Sequence, residues 1–181
     1  MTKRLVIVLA PIALLAACAT GPSLPAAPDY STISPALDAS AQWQAGQQVY
    51  LDWNGAQPGW STTASGLQYK RTSEANPDGA QPGETDTVLV HYAGRLINGS
   101  EFDSSYARNE PIDFPLNRVI DGWTEGLQRM KVGDEWLLYV PPELGYGENG
   151  QGPVPPNAVL VFRVQLLDVA RAAGAGEPVR G

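Results

Sequence analysis

The chain has 181 residues, 43% of them apolar, enough to bury one respectable core but hardly two. Its 19 acidic residues outweigh 12 basic ones for a net charge of −7, and such a surface repels phosphate backbones, which argues against nucleic acid as a partner. One cysteine and one histidine cannot assemble a disulfide framework or a His/Cys metal site, so no metal and no cofactor is implied.

Lys3 and Arg4 precede LVIVLAPIALLAA, an apolar run of 13 residues over 5–17. That is too short for a bilayer, which takes about 20 residues. A charged start, a short apolar core and small residues at the end predict an export signal over 1–17. The run closes on Leu15-Ala16-Ala17-Cys18, similar to a bacterial lipobox, in which the signal is cut before the cysteine and the thiol is diacylated. The alternative is an ordinary signal peptide with an incidental cysteine. Cys18 is the only cysteine and has no partner for an internal disulfide, which favours lipidation. Two or more acyl chains make a stable membrane anchor, each buried methylene adding about 0.8 kcal/mol. Ala19, where an aspartate would resemble an inner-membrane retention signal, points to the outer membrane, facing the periplasm. Losing Lys3 and Arg4 with the signal leaves 10 basic against 19 acidic residues, a net charge of −9.

Residues 18–63 read as a lipidated tether. ATGPSLPAAPDYSTISPAL, residues 19–37, carries four prolines and little apolar content, a composition that stays semi-extended. Further on, QQVYLDWNG alternates apolar and polar residues and ends on Asn54-Gly55, which predicts a strand and a hairpin turn. Trp43, Trp53 and Trp60 are costly to leave in water and predict partial docking of a half-ordered segment.

A single domain is expected over 64–172, followed by a flexible tail, 173–181. GLQYKR reads as a strand. TVLVHYAG places Val88, Val90 and Tyr92 on one face and Leu89 and His91 on the other. It turns through Asn98-Gly99 into EFDSS. EWLLYV and AVLVFRVQLLDV are further strands, the last with Leu160, Phe162, Val164 and Leu166 on one face. DGWTEGLQRMKVG predicts the one helix, capped by Asp121, with Trp123, Leu127 and Met130 on one stripe and Gly133 as its stop. Antiparallel strands with one short amphipathic helix define an α+β domain, a β-sheet covering the helix.

Three motifs mislead. Gly145, Gly147 and Gly150 fit a dinucleotide-binding glycine pattern, but Pro153, Pro155 and Pro156 forbid the helix that pattern needs. Ser104 and Ser105 lack an activating base, His91 being turned outward. Glu101 and Asp103 share one strand rather than facing across a cleft, as a glycosidase pair would. What remains is an aromatic set, Tyr92, Phe102, Phe114, Trp123, Tyr146 and Phe162, which alone describes a core. Asp103, Arg108 and the Tyr146 hydroxyl interleaved with it suit an apolar pocket with a few orienting groups.

From Gly66 to Val169 the chain resembles the FKBP-type peptidyl-prolyl cis-trans isomerases. The resemblance is carried by SGLQYK, VHYAGRLINGSEFDSS, RVIDGWTEGLQRMKVGDEW, PPELGYGENG and PPNAVLVFRVQLLDV, in that order. It implies an FKBP-like antiparallel β-sheet wrapped around one short α-helix. It further implies Phe102, Asp103 and Tyr146 as catalytic residues, with Tyr92, Arg108, Phe114, Val119, Ile120, Trp123, Val154 and Phe162 binding substrate. Trp123 would form the floor, and the Ile120 N–H and Tyr146 hydroxyl would hold substrate carbonyls. Strict alternation puts Phe102 and Asp103 on opposite faces, so the strand must twist or bulge for both to reach one pocket. Ile112, where relatives often have an aromatic, and the short glycine-rich loop from Tyr146 to Pro155 are departures at the rim. The implied substrates are proline-containing, unfolded or partly folded exported polypeptides, with rapamycin-class macrolides as further ligands and chaperone-like binding as a compatible activity. The competing class is a non-catalytic binding module or envelope scaffold on the same fold.

Overall fold

A computed structural model describes residues 28–172; the signal run, Cys18 and the tail from 173 lie outside the described residues. Helix α1 spans Ala39–Gly55 and starts where the Asp38 carboxylate accepts the Ala41 N–H at 2.9 Å. It is followed by β1 (Ser61–Thr62), β2 (Gln68–Arg71), β3 (Thr87–Leu96) and β4 (Glu101–Ser104). A single turn, α2 (Ser105–Arg108), then leads to β5 (Ile112–Pro115), α3 (Asp121–Leu127), β6 (Glu135–Val140) and β7 (Leu160–Ala170).

The strands form one antiparallel sheet in the order β1-β2-β6-β7-β3-β4, and β5 pairs with β3 beside β4. β4 takes the Ala93–Arg95 part of β3 and β5 takes Thr87–Val90, so α2 interrupts what would otherwise be one edge strand. Alternation decides the inner face: Val88, Val90 and Tyr92 of β3, Trp136, Leu138 and Val140 of β6, and Leu160, Phe162, Val164 and Leu166 of β7 are all buried. Against them lies α3. A Cβ on its Gly122 would stand 2.5 Å from Val140 Cγ1, so glycine there lets the helix backbone press directly on β6. Trp123 meets Tyr92 of β3, Phe114 of β5 and Phe162 of β7. One short helix touching strands from across the sheet requires the sheet to curve around it, and the fold is the expected α+β arrangement.

Three helix expectations need correction. α3 ends at Leu127, and its N-cap is Ile120, with no side-chain cap; Asp121 stands in the first turn instead. There its charge still favours the helix dipole. Met130 and Gly133 fall in the turn beyond, where Gly133 has φ +96°. Nor is α3 the only helix, since α1 and α2 are described as well. The strand and hairpin expected near QQVYLDWNG are in fact the C-terminal half of α1. Asp38 supplies a cap, the alanines and glutamines of 39–48 are good helix formers, and Gln47, Leu51 and Asn54 make one buried face at helical spacing. Over nine residues an apolar alternation is compatible with either period, and the cap upstream settles it.

α1 is packed on the rest of the domain. The Trp43 indole N–H donates to the Pro156 carbonyl at 2.9 Å, and the Gln47 side-chain carbonyl accepts the Val159 N–H at 2.9 Å. Asn54 donates to Gln68 Oε1, and Gln68 in turn donates to the Leu51 carbonyl, both at 2.8 Å. Tyr50 stacks on Tyr139 with ring centroids 5.7 Å apart.

Candidate active site

The inner-face aromatics converge on an open cleft of about 450 Å³. Trp123, only 4% exposed, forms its floor. Edge-to-face contacts fix this ring, with centroids 5.0 Å from Tyr92, 5.6 Å from Phe114 and 5.2 Å from Phe162. Phe102 stands edge-on to Phe162 at 5.6 Å. Such perpendicular pairs suit the ring quadrupoles. The result is a wall of carbon with few polar atoms. Gly94 makes room for it, because a Cβ there would lie 2.7 Å from Phe102 and 2.8 Å from Phe162.

The parity conflict between Phe102 and Asp103 is resolved by a bulge. On β3 the neighbours Gly94 and Arg95 pair with Asp103 and Glu101, so Phe102 is an extra residue on β4. One extra residue turns the strand locally and lets two successive side chains line the same cleft; both Phe102 and Asp103 do. The Asp103 carboxylate accepts from the Tyr92 hydroxyl through Oδ2 and from Arg108 through Oδ1. Arg108 also reaches the Tyr92 hydroxyl at 3.3 Å. Arg108 is carried there by α2, whose cap is Ser104: its Oγ accepts the Ala107 N–H at 3.1 Å. Burial by itself raises the Asp103 carboxyl, but the bonds from Tyr92 and Arg108 outweigh it and hold the group below the usual carboxylate range. Burial, then the bond to Asp103, pushes the Tyr92 phenol up to about 12. Tyr146 is raised as well, by burial and by the Asp103 charge. At neutral pH the cleft therefore holds one carboxylate, already neutralised by its own arginine, and two intact phenols.

Val119 and Ile120 form the opposite rim, in the short link between the 3₁₀ turn Leu116–Arg118 and α3. That link is pinned: the Leu116 N–H donates to the Asp86 carbonyl at 2.9 Å, and Thr124 Oγ1 donates to the Leu116 carbonyl at 2.7 Å. Among the described residues nothing accepts from the Ile120 N–H, and the Tyr146 hydroxyl makes no hydrogen bond. A donor at each side of an apolar cleft, both without partners, is what a bound peptide's carbonyls would require.

Of the residues expected at the site, Tyr92, Phe102, Asp103, Phe114, Val119, Ile120, Trp123, Tyr146 and Phe162 line this cleft, whereas Arg108 and Val154 do not. Arg108 lies behind Asp103 and is bonded to its carboxylate. Val154 is 4% exposed and belongs to the core; its backbone bridges to Gln151 in both directions, at 2.9 and 3.0 Å. That bridge positions Gln151, which does line the cleft, as does Arg118. Sequence reasoning passed over both. Arg118 is adjacent to Val119-Ile120 and could have been suspected from that; Gln151 gives no signal until the loop around Gly150 is closed. Ser105 and His91 lie apart from the cleft. Ser105 Oγ accepts the Tyr92 N–H at 2.7 Å and is 2.9 Å from His91 Nδ1, while the His91 ring stacks on Tyr106. Among the described residues, no serine, cysteine or histidine lines the cleft itself.

Residues 79–167 match the family model described as FKBP-type peptidyl-prolyl cis-trans isomerase. The chain is 49% identical over 130 residues to FkpA of Aeromonas hydrophila, an FKBP-type peptidyl-prolyl cis-trans isomerase, covering 72% of this chain and 48% of that one. It is 50% identical over 121 residues to the FKBP-type 22 kDa isomerase of Escherichia coli, covering 66% and 58%. A solved peptidyl-prolyl cis-trans isomerase from Pseudomonas syringae superposes with a TM-score of 0.68 at 32% identity, over 75% of this chain and 99% of that one. The chain spans about half the length of the curated relatives it matches.

Proposed function

From the premise that this chain belongs to the FKBP-type peptidyl-prolyl cis-trans isomerase family, we propose that its cleft accelerates rotation about Xaa–Pro bonds in exported polypeptides. The observation that carries this is the cleft's composition: an aromatic wall, an unpartnered Ile120 N–H and Tyr146 hydroxyl facing it, and, among the described residues, no serine, cysteine or histidine on the lining. Rotation about a peptide bond crosses a barrier of about 18–20 kcal/mol set by amide resonance, and needs tens to hundreds of seconds unaided before proline. No covalent bond breaks and no net proton moves. In the twisted state the amide has lost its delocalisation, so its oxygen carries less charge and its C–N bond is less polar. A wall of Phe102, Phe162 and Trp123 disfavours the planar, polar ground state more than the twisted one. The Ile120 N–H and Tyr146 hydroxyl hold the flanking carbonyls while the proline turns. Asp103, held by Tyr92 and Arg108, is an electrostatic and orienting group, not a proton acceptor. Three decades of acceleration correspond to about 4 kcal/mol of differential binding.

The proposal extends to location and ligands. The Leu15-Ala16-Ala17-Cys18 motif supports a lipid-anchored envelope protein, on the outer membrane facing the periplasm, with clients that are exported and partly unfolded. A rapamycin-class macrolide would occupy the same cleft, and chaperone-like binding of unfolded chains is compatible with it. Proline isomerisation of a short peptide, measured with the full chain with and without such a macrolide, tests the activity. Acceleration that the macrolide abolishes is expected; peptide binding without acceleration would leave a binding module in its place. Cys18→Ser is expected to give uncleaved precursor or soluble protein, and a processed, membrane-associated mutant would remove the anchor.

A further inference from the structure

Among the described residues, Arg118 is the one charged group on the cleft without an ion-pair partner. Every other arginine among the described residues is in an ion pair: Arg71 with Asp134, Arg95 with Glu101, Arg108 with Asp103, Arg129 with Glu125, Arg163 with Glu135 and Arg171 with Asp86. The Arg118 guanidinium has neither an ion pair nor a hydrogen bond among the described residues, in a chain whose net charge is −7. In so acidic a chain, a cation left unpaired beside the cleft is unexpected from composition alone.

Its placement is fixed by the backbone. Arg118 ends the 3₁₀ turn Leu116–Arg118, and Leu116 is fully buried and bonded through both its N–H and its carbonyl. The next two residues are the Val119–Ile120 rim, so Arg118 sits directly before the free Ile120 N–H that would hold a substrate carbonyl. Among the described residues the one carboxylate on the cleft, Asp103, is already satisfied by Arg108 and Tyr92. The cleft therefore carries a local positive charge, while the rest of the molecule is negative.

We propose that Arg118 selects substrates bearing an acidic side chain close to the isomerised proline. This rests on the isomerase reading of the cleft and names the client class for it. Without Arg118, the protein's own field would push acidic segments away; with it, the repulsion is offset at the point of binding. A long exposed arginine contributes to encounter and holding, not to amide rotation, so the selection acts on KM and is screened by salt.

The test uses the full chain and peptide pairs that differ only by Glu against Gln, placed in turn on each side of one proline. At low salt, the wild type is expected to favour Glu at one position or more by about two- to fivefold in kcat/KM, the scale of an exposed ion pair. The preference should lie in KM and fall towards unity at 0.5 M salt, about a 4–5 Å screening length. Arg118→Gln should erase it and Arg118→Glu should invert it; because a ratio is read, a general loss in either variant cancels. A Glu-to-Gln ratio identical in wild type and both variants, with the peptides still turned over, overturns the proposal and leaves the isomerase intact. If the wild type turns over none of the peptides, it is the isomerase reading that falls. The same pairs are then read by fluorescence anisotropy of labelled peptide, where equal Kd ratios in wild type and Arg118→Glu overturn the selection too.

Discussion

Asp103 and Tyr146 differ from the aromatics around them in what their loss should do. The Asp103 side chain is partly exposed and the Tyr146 hydroxyl makes no hydrogen bond in the fold, so neither polar group holds much of the structure together. Tyr146→Phe should lower kcat/KM about tenfold, the value of one well-placed hydrogen bond, with the unfolding midpoint almost unmoved. Asp103→Val should act similarly on turnover, since it releases Tyr92 and Arg108 from their set positions. Matching midpoints and matching rates in both variants would place these residues outside the mechanism. Protonation gives the complementary check. Asp103 is held below the carboxylate range and the Tyr92 phenol is pushed up to about 12. Neither titrates between pH 6 and 8, so isomerisation of an uncharged peptide should be flat there, without the bell of acid–base catalysis. A bell removed by His91→Gln would put a general base back into the chemistry. The sign of the acid limb follows from the same shifts. Asp103 and Asp86 both have lowered pKa values in the fold. Their stabilisation is complete above the ordinary carboxylate value of about 3.9 and is lost as pH falls through the lowered values.

Among the elements, β4 shows where sequence reasoning stops. Hydrophobic alternation placed the long strands β3 and β7 correctly, because each is half-buried over ten or more residues and a slip of one would turn the core outward. β4 has four residues, Glu101–Ser104. At that length alternation cannot reveal an inserted residue, and the motif required a bulge without locating it. Register does: Phe102 has no partner on β3. The bulge depends on Gly94 across the ladder, whose missing Cβ leaves space for Phe102 and Phe162. Gly94→Ala should push both rings off their rotamers, costing about 1–3 kcal/mol as overpacking does, and reduce kcat/KM by a larger factor than Tyr146→Phe. Denaturant unfolding and peptide turnover measured together check this. A variant as stable and as active as wild type would mean that the ring pair tolerates displacement. α1 was missed for a different reason. Its buried face, Gln47, Leu51 and Asn54, is mostly polar, so no apolar stripe announces it. Only the bonds to Val159 and Gln68 explain why those amides are inside.

For the molecule as a whole, those amides decide whether the segment before residue 62 is tether or structure. The cluster of fully buried core residues runs from Leu67 to Leu166, and of α1 only Trp43 is packed against it. A chain beginning at Thr62 should therefore still fold cooperatively. It should not fold as well. Removing α1 takes the acceptor from the Val159 N–H, both partners from the buried Gln68 side chain, and the cover from Leu51's own neighbours. A buried polar group left without a partner costs about 1–3 kcal/mol, and water reaching the uncovered surface returns part of it. The expected deficit is about 2–4 kcal/mol in urea unfolding relative to residues 19–181. Activity should fall as well, because Trp43 and Gln47 hold Pro156 and Val159, the far end of the loop that carries Tyr146 and Gln151 to the cleft. Gln47→Leu in the longer chain separates the two effects: it orphans the Val159 N–H while leaving α1 in place. If the shortened chain unfolds within about 0.5 kcal/mol of the longer one, the helix is only lying on the surface, and the tryptophans belong with the tether.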